Sequence, residues 1–197
     1  MQGILNVQPT LLGIAWPAST DSLLRKIILA VAGTALLTVS AKIQVPFYPV
    51  PMTMQTFAVL VIGMAFGWRL GAVTVLLYLA EGAFGLPVFA GTPAKGIGLA
   101  YMAGPTGGYL AGFLASAMAV GYLGERGWDR NFLTTLAATI LGTALIFGFG
   151  YVWLSHLIGM AKAFQFGLLP FLWGAAFKIA LAALVLPFCW KFLTRKS

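Results

Sequence analysis

The stretch from Gly82 to Tyr109, GAFGLPVFAGTPAKGIGLAYMAGPTGGY, constrains this chain more than any other. It lies between two long apolar runs, yet glycines alternate in it with Pro87, Pro93 and Pro105. No helix of useful length survives that density of Gly and Pro. The other positions are mostly apolar or aromatic, among them Phe84, Phe89, Leu99 and Tyr101. A linker built for water carries Ser, Lys and Glu instead. The segment therefore reads as an ordered, dry loop. Non-helical backbone at membrane depth is tolerated where it is buried in protein or lines a cavity. That makes it the first candidate for a ligand site.

The membrane enters through composition. The chain is 60% hydrophobic and 8% charged, with mean hydropathy +0.95. Soluble domains carry about a quarter charged residues. The sequence predicts an all-α integral membrane protein, one domain over residues 1–197, with no charged or Ser-rich linker to divide it. The net charge of +8 could suggest nucleic acid. No basic run with interleaved aromatics supports that, and cations collect at cytoplasmic helix ends for a simpler reason. The single cysteine, Cys189, excludes an internal disulfide, and His156 is also alone, so no metal site is expected.

Apolar runs predict six spans, about 23–41, 52–66, 70–84, 106–123, 132–154 and 168–193. Residues 1–22 lack a basic start and are broken by Pro9 and Pro17, which makes a poor signal peptide. Trp16 with Leu11, Leu12 and Ile14 suits the membrane surface. Six spans put both termini on one side. Arg25, Lys26, Arg69, Arg126, Arg130 and the C-terminal cations fall there, against Lys42, Lys95 and Lys162 opposite. By the positive-inside rule both termini are cytoplasmic, and the Gly82–Tyr109 and Ile43–Pro51 loops face outward.

Glu81 and Lys178 are ionisable residues inside apolar runs. Each costs roughly 2.5–3.5 kcal/mol at a helix centre on insertion scales, so they pair, face the interior or meet a ligand. Tyr78 shares a helix face with Glu81 and is either a cavity residue or an interfacial aromatic. Gly174, Lys178 and Ala182 share a face of the sixth span, leaving room beside the lysine. The segment VPFYPVPMTMQ, Val45 to Gln55, carries Pro46, Pro49 and Pro51. Its stiff backbone with Phe47 and Tyr48 reads as a lid or as a rigid connector. Gln55 can donate and accept toward an amide-like or urea-like group. Gly104 to Tyr109, GPTGGY, offers either anion-binding amides at a helix start or tight helix packing. Ala30, Thr34 and Thr38, four apart on the first span, either pack inside the bundle or dock another membrane subunit. There is no GxSxG, His dyad, carboxylate pair or nucleotide motif, so the chain reads as a non-enzyme.

Three segments, PVPMTMQT (Pro49–Thr56), GLPVFA (Gly85–Ala90) and GPTGGY (Gly104–Tyr109), resemble the signatures of the BioY family, in order and at similar spacing. These are the biotin-binding S-components of energy-coupling factor (ECF) transporters. The resemblance runs from about Leu23 onward. It implies a six-helix S-component bundle in the bacterial cytoplasmic membrane that captures biotin on its outer side. It also implies a transmembrane coupling protein and a pair of cytoplasmic ATPases as partners. Those partners consume ATP; the chain itself is expected to need no cofactor. In that family the binding subunit topples in the membrane to release substrate inward.

Lys178 matches the lysine of the family's D-x-x-K, but Ala175 stands at the aspartate position. Glu81 is the candidate to replace that aspartate at the ureido group. Lys95 matches a basic residue of the third outer loop and is a candidate for the carboxylate, as is Lys178. Phe47, Tyr48, Phe89, Tyr101 and Tyr109 are candidates to wall the apolar part, with Gln55 at the head. The family's A-x-x-x-A docking motif is met only loosely by Ala30 and Thr34. The competing readings are an S-component for another vitamin, such as thiamin or riboflavin, and a membrane protein with no transport role. The lysines argue against cationic thiamin.

Overall fold

The computed structural model describes residues 9–16 and 23–195. The apolar runs become helices with boundaries close to those expected. In chain order they are α1 (Leu11–Ala15), α2 (Leu23–Lys42), α3 (Gln55–Phe66) and α4 (Trp68–Ala83). After the outer segment with its short α5 (Gly98–Met102) come α6 (Gly107–Gly124), α7 (Phe132–Ile158), α8 (Met160–Gly167) and α9 (Leu172–Thr194). Among the described residues, four stretches are long and apolar enough to cross a membrane: α2, α6, α7 and the run Met160–Thr194. The α3 helix is apolar but has 12 residues, and α4 has 16.

Two local expectations change. The stiff Val45–Gln55 segment is a short hairpin. β1 (Gln44–Val45) pairs antiparallel with β2 (Met52–Thr53), Gln44 opposite Thr53 and Val45 opposite Met52. The second helix accordingly begins at Gln55 rather than Met52, because the ladder takes the preceding backbone groups. Second, Met160–Gly167 is a helix, joined to α9 by a 3₁₀ turn at Leu169–Phe171 that contains Pro170. A proline at the first turn of a helix loses no bond that the helix would have made.

The α6 helix is central, packing on α7, α3 and α4; α9 closes the bundle against α7 and α3, and α2 lies on α4. One buried cluster, with Val59, Tyr78, Phe89, Phe113 and Ile146, underlies the outer segments. Another, with Leu60, Met64, Val120, Leu186 and Trp190, fills the opposite end. Leu11 of α1 is buried in the second cluster, so at least this part of residues 1–22 is tucked into the bundle rather than laid flat outside it. The rest of that segment, apart from residues 9–16, falls outside the described residues.

Two glycines fix the geometry near the ends. Gly67, at φ +80, turns the chain between α3 and α4 in one residue, and Glu125 caps the new helix by accepting from the Trp68 N–H at 3.2 Å. Gly82 lets the Phe89 ring lie on α4: a Cβ there would collide with the ring. Phe89 in turn stacks on Tyr101 at 5.0 Å and meets Tyr78 edge-on at 5.3 Å.

Two outcomes follow. Gly82→Ala expels Phe89 from its seat and lowers stability by about 1–3 kcal/mol, read as a lower Tm of the detergent-purified protein. Asp129, in the α6–α7 loop, is fully buried and neither of its carboxylate oxygens has a hydrogen-bond partner. Burial pushes its pKa up to about 6, and the nearby Trp190 indole and Arg130 guanidinium oppose this only in part. The folded state thus holds the proton more tightly than the unfolded chain. That stabilisation is full below about pH 4 and is lost as pH rises through 6, for a swing of about 3 kcal/mol. Asp129→Asn should remove this component, so that Tm at pH 7.5 rises relative to wild type while Tm near pH 4.5 changes little.

Candidate functional site

The two outer segments and the outer ends of α3, α6, α7 and α9 enclose a cavity beneath the loop. The free space inside it is small, about 50 Å³. Small-molecule pockets run from about 300 to 1,000 Å³, so the walls must part before such a ligand can enter; their linings are mostly apolar with a few placed polar groups. The lining here has that character: Phe89, Tyr101, Tyr109, Phe113, Phe147 and Phe171 form its walls, and Gln55, Thr106 and Lys178 are among its polar members.

Lys178 reaches the cavity because α9 turns its Gly174–Ala182 face inward. The residue is 6% exposed, and its ammonium donates to the Thr53 carbonyl at 2.7 Å. That contact ties α9 to the hairpin. An ammonium has three N–H donors, so two remain for a ligand. Among the described residues, no carboxylate lies on the cavity wall. Lys178 and Glu81 are not an ion pair, since each has its own partner.

Gln55 opens α3 and sits buried on the wall. Its side-chain amide donates to the Tyr78 hydroxyl at 2.6 Å, and that hydroxyl donates to the Val88 carbonyl at 3.0 Å. Tyr78 is therefore behind the cavity, holding Gln55 and the outer loop together. Tyr101 donates to the Ala90 carbonyl at 2.8 Å, and burial pushes its phenol up against a smaller opposing effect of Thr106. Tyr109 donates to the Gly167 carbonyl at 2.7 Å, joining α6 to the end of α8.

Of the residues singled out in the sequence, Gln55, Phe89, Tyr101, Tyr109 and Lys178 meet around one cavity. Others do not. Glu81 lies on the α2 side of α4, where it accepts a hydrogen bond from the Thr34 hydroxyl at 2.9 Å. The helical turn that carries Tyr78 inward points Glu81 toward α2. Lys95 is exposed on the outer loop, away from the cavity wall. Tyr48, at the hairpin tip, is 87% exposed, whereas Phe47 lies at the rim, 6.0 Å from the Phe171 ring. Ala30 and Thr34 are buried and Thr38 is half-buried, so this stripe packs within the bundle and is not a free docking face. Gly108 packs against Trp153 and Phe149, the tight-packing alternative for GPTGGY.

Sequence reasoning missed Phe113, Ile146, Phe147 and Phe171, which stand in ordinary-looking apolar runs. Phe171 is the most informative: its ring lies 6.0–6.5 Å from Phe47, Tyr109 and Phe147. The signal available was Pro170, which marks the break that aims Phe171 inward.

Comparison with known proteins agrees with this geometry. The model of the BioY family matches residues 12–195. The biotin transporter BioY of Thermotoga maritima is 38% identical over 82% of this chain and 94% of its own length. A probable biotin transporter BioY of Pyrococcus horikoshii is 40% identical over 77% of this chain and 87% of its own. Among solved structures, the S-component for biotin from an ECF-type ABC transporter superposes with a TM-score of 0.75, at 24% identity, covering 88% of this chain and 95% of that one. The last is a likeness of fold. With its membrane-capable helices and transporter relatives, this is a multi-pass membrane protein that shares the S-component fold, and the chain belongs to the BioY family.

Proposed function

We propose that this protein is the substrate-capture subunit of an ECF-type transporter and binds biotin in the cavity beneath its outer segments. It is a transporter component rather than an enzyme. One observation carries the reading: a buried, largely aromatic cavity holds Lys178 without a carboxylate, beside the amide of Gln55. Biotin is an apolar ring and chain with a neutral ureido head and one carboxylate. The aromatic walls suit the ring and chain, Gln55 suits the ureido group, and Lys178 suits either a carbonyl or the carboxylate. A cationic vitamin such as thiamin would meet an uncompensated lysine there. The homologues named as biotin transporters support the same choice.

The orientation belongs to the proposal as well. Six spanning helices, with α3 and α4 as the short ones, place both termini in the cytoplasm by the distribution of cations. The cavity then opens outward, the side from which a nutrient arrives. Partners are a transmembrane coupling protein and a cytoplasmic ATPase pair in the bacterial cytoplasmic membrane. The side of α2 left for such a partner carries Ile28, Ala32, Ala35 and Val39, all exposed. Their spacing makes one helix face.

Labelled biotin should bind the purified protein tightly and resist competition by thiamin and riboflavin; displacement by either vitamin overturns the assignment. Lys178→Met should weaken biotin roughly 10- to 100-fold, the worth of a buried hydrogen bond to a charged group. If that loss persists with biotin methyl ester as ligand, Lys178 meets the ureido end; if it vanishes, Lys178 meets the carboxylate. Glu81→Gln and Glu81→Ala should both hold biotin about as well as wild type, because Glu81 faces Thr34.

A further inference from the structure

Lys42 is the last residue of α2. Its helix supplies no residue to the cavity wall. Yet its ammonium lies 2.7 Å from the Pro87 carbonyl, 3.0 Å from the Phe89 carbonyl and 3.3 Å from the Thr92 carbonyl. It also donates to the Thr92 hydroxyl at 3.1 Å, and that hydroxyl donates to the Phe89 carbonyl at 2.6 Å. Three N–H donors are thus shared among oxygens that all belong to one short segment. Hydrogen bonds from a charged donor are about twice as strong as neutral ones.

That segment is the cavity's outer wall. Phe89 and Ala90 both line the cavity. The backbone there is neither helix nor strand, and its own hydrogen bonds are short-range turns such as Val88 N–H to the Leu86 carbonyl at 2.8 Å. Such turns shape the loop but do not attach it to the bundle. Attachment falls to side chains, and among the described residues Lys42 grips several of its carbonyls at once. Unlike Tyr78 and Tyr101, Lys42 lies at the exposed outer edge. Water can replace its bonds there one at a time, so the grip is strong when complete and can be released.

We infer that Lys42 is a positioning residue that latches the Pro87–Thr92 segment over the ligand cavity and thereby sets how long biotin is retained. The inference rests on the biotin reading above. Lys42 itself does not touch the ligand; it acts through Phe89 and Ala90. Loss of the latch should speed dissociation and should not slow association, because entry also requires the segment to open.

The test uses the purified full chain and a chase of labelled biotin. Lys42→Met should raise the dissociation rate about tenfold or more. Thr92→Val, which removes one of the grasped oxygens, should raise it less; it also decides the matter if Lys42→Met fails to fold. Amide hydrogen exchange across residues 86–96 of unliganded Lys42→Met should be faster than in wild type, while the α6 and α7 amides are unaffected. An unchanged dissociation rate overturns the inference, and so does a faster rate without faster exchange in that segment. If wild type binds no labelled biotin, the biotin reading fails by itself, and the exchange measurement still decides whether Lys42 latches the loop.

Discussion

The carbonyl groups of the outer segment have no helix ladder to satisfy them, and the segment lies against a bundle built for hydrocarbon. An unpaired backbone group in such surroundings costs several kcal/mol. The solution is a set of side-chain donors reaching out from the helices. Lys42 serves Pro87, Phe89 and Thr92; Tyr78 serves Val88; Tyr101 serves Ala90; Trp153 serves Gly104 at 2.9 Å. Tyr109 does the same for Gly167 on the other side of the cavity. A breaker-rich segment is affordable because the helices carry these donors at matching depths. The tyrosines are amphipathic enough for the task, with a ring that packs and a hydroxyl that donates.

The same donors make the cavity. Holding the segment by hydrogen bonds, rather than packing it down throughout, leaves a small space beneath it, about 50 Å³. Phe89 shows the balance. Its ring is seated against Gly82, Tyr78 and Tyr101, so it forms wall rather than plug. Lys178 then finds itself inside a largely apolar enclosure with the Thr53 carbonyl as its partner. A buried cation so sparsely matched is poorly stabilised without a ligand. In the proposed biotin complex a polar, electron-rich ligand group would complete its shell, which would link ligand capture to the rigidity of the hairpin that carries Thr53.

Much of this was legible beforehand, for reasons that can be named. Long apolar runs located the helices within a few residues, since hydrocarbon leaves the backbone few alternatives. Glycine and proline marked the outer segments. The rarity of polar residues in apolar runs singled out Lys178, and Gln55 stood at the helix entrance. Glu81 satisfied the same rarity argument as Lys178 and yet faces α2. Inward and sideways directions on a helix differ by one residue's rotation, about 100°, and a span so uniformly apolar carries little periodicity to choose between them. For the same reason the Ala30–Thr34 stripe was ambiguous between packing and docking, and the bundle buries it.

From its residues alone the chain was determined to be a membrane-embedded helical bundle with irregular, oily segments between its helices, because burial and backbone satisfaction are set by composition and by breakers. Which polar side chains converge was decided only by the tertiary fold. The rotation of α4 brings Tyr78 to Gln55 and sends Glu81 to Thr34; the 3₁₀ turn aims Phe171 inward; the path of the outer loop brings three carbonyls to Lys42 and leaves Lys95 outside. Those directions depend on how helices pack against one another, and packing is a property of pairs of surfaces that no single span records.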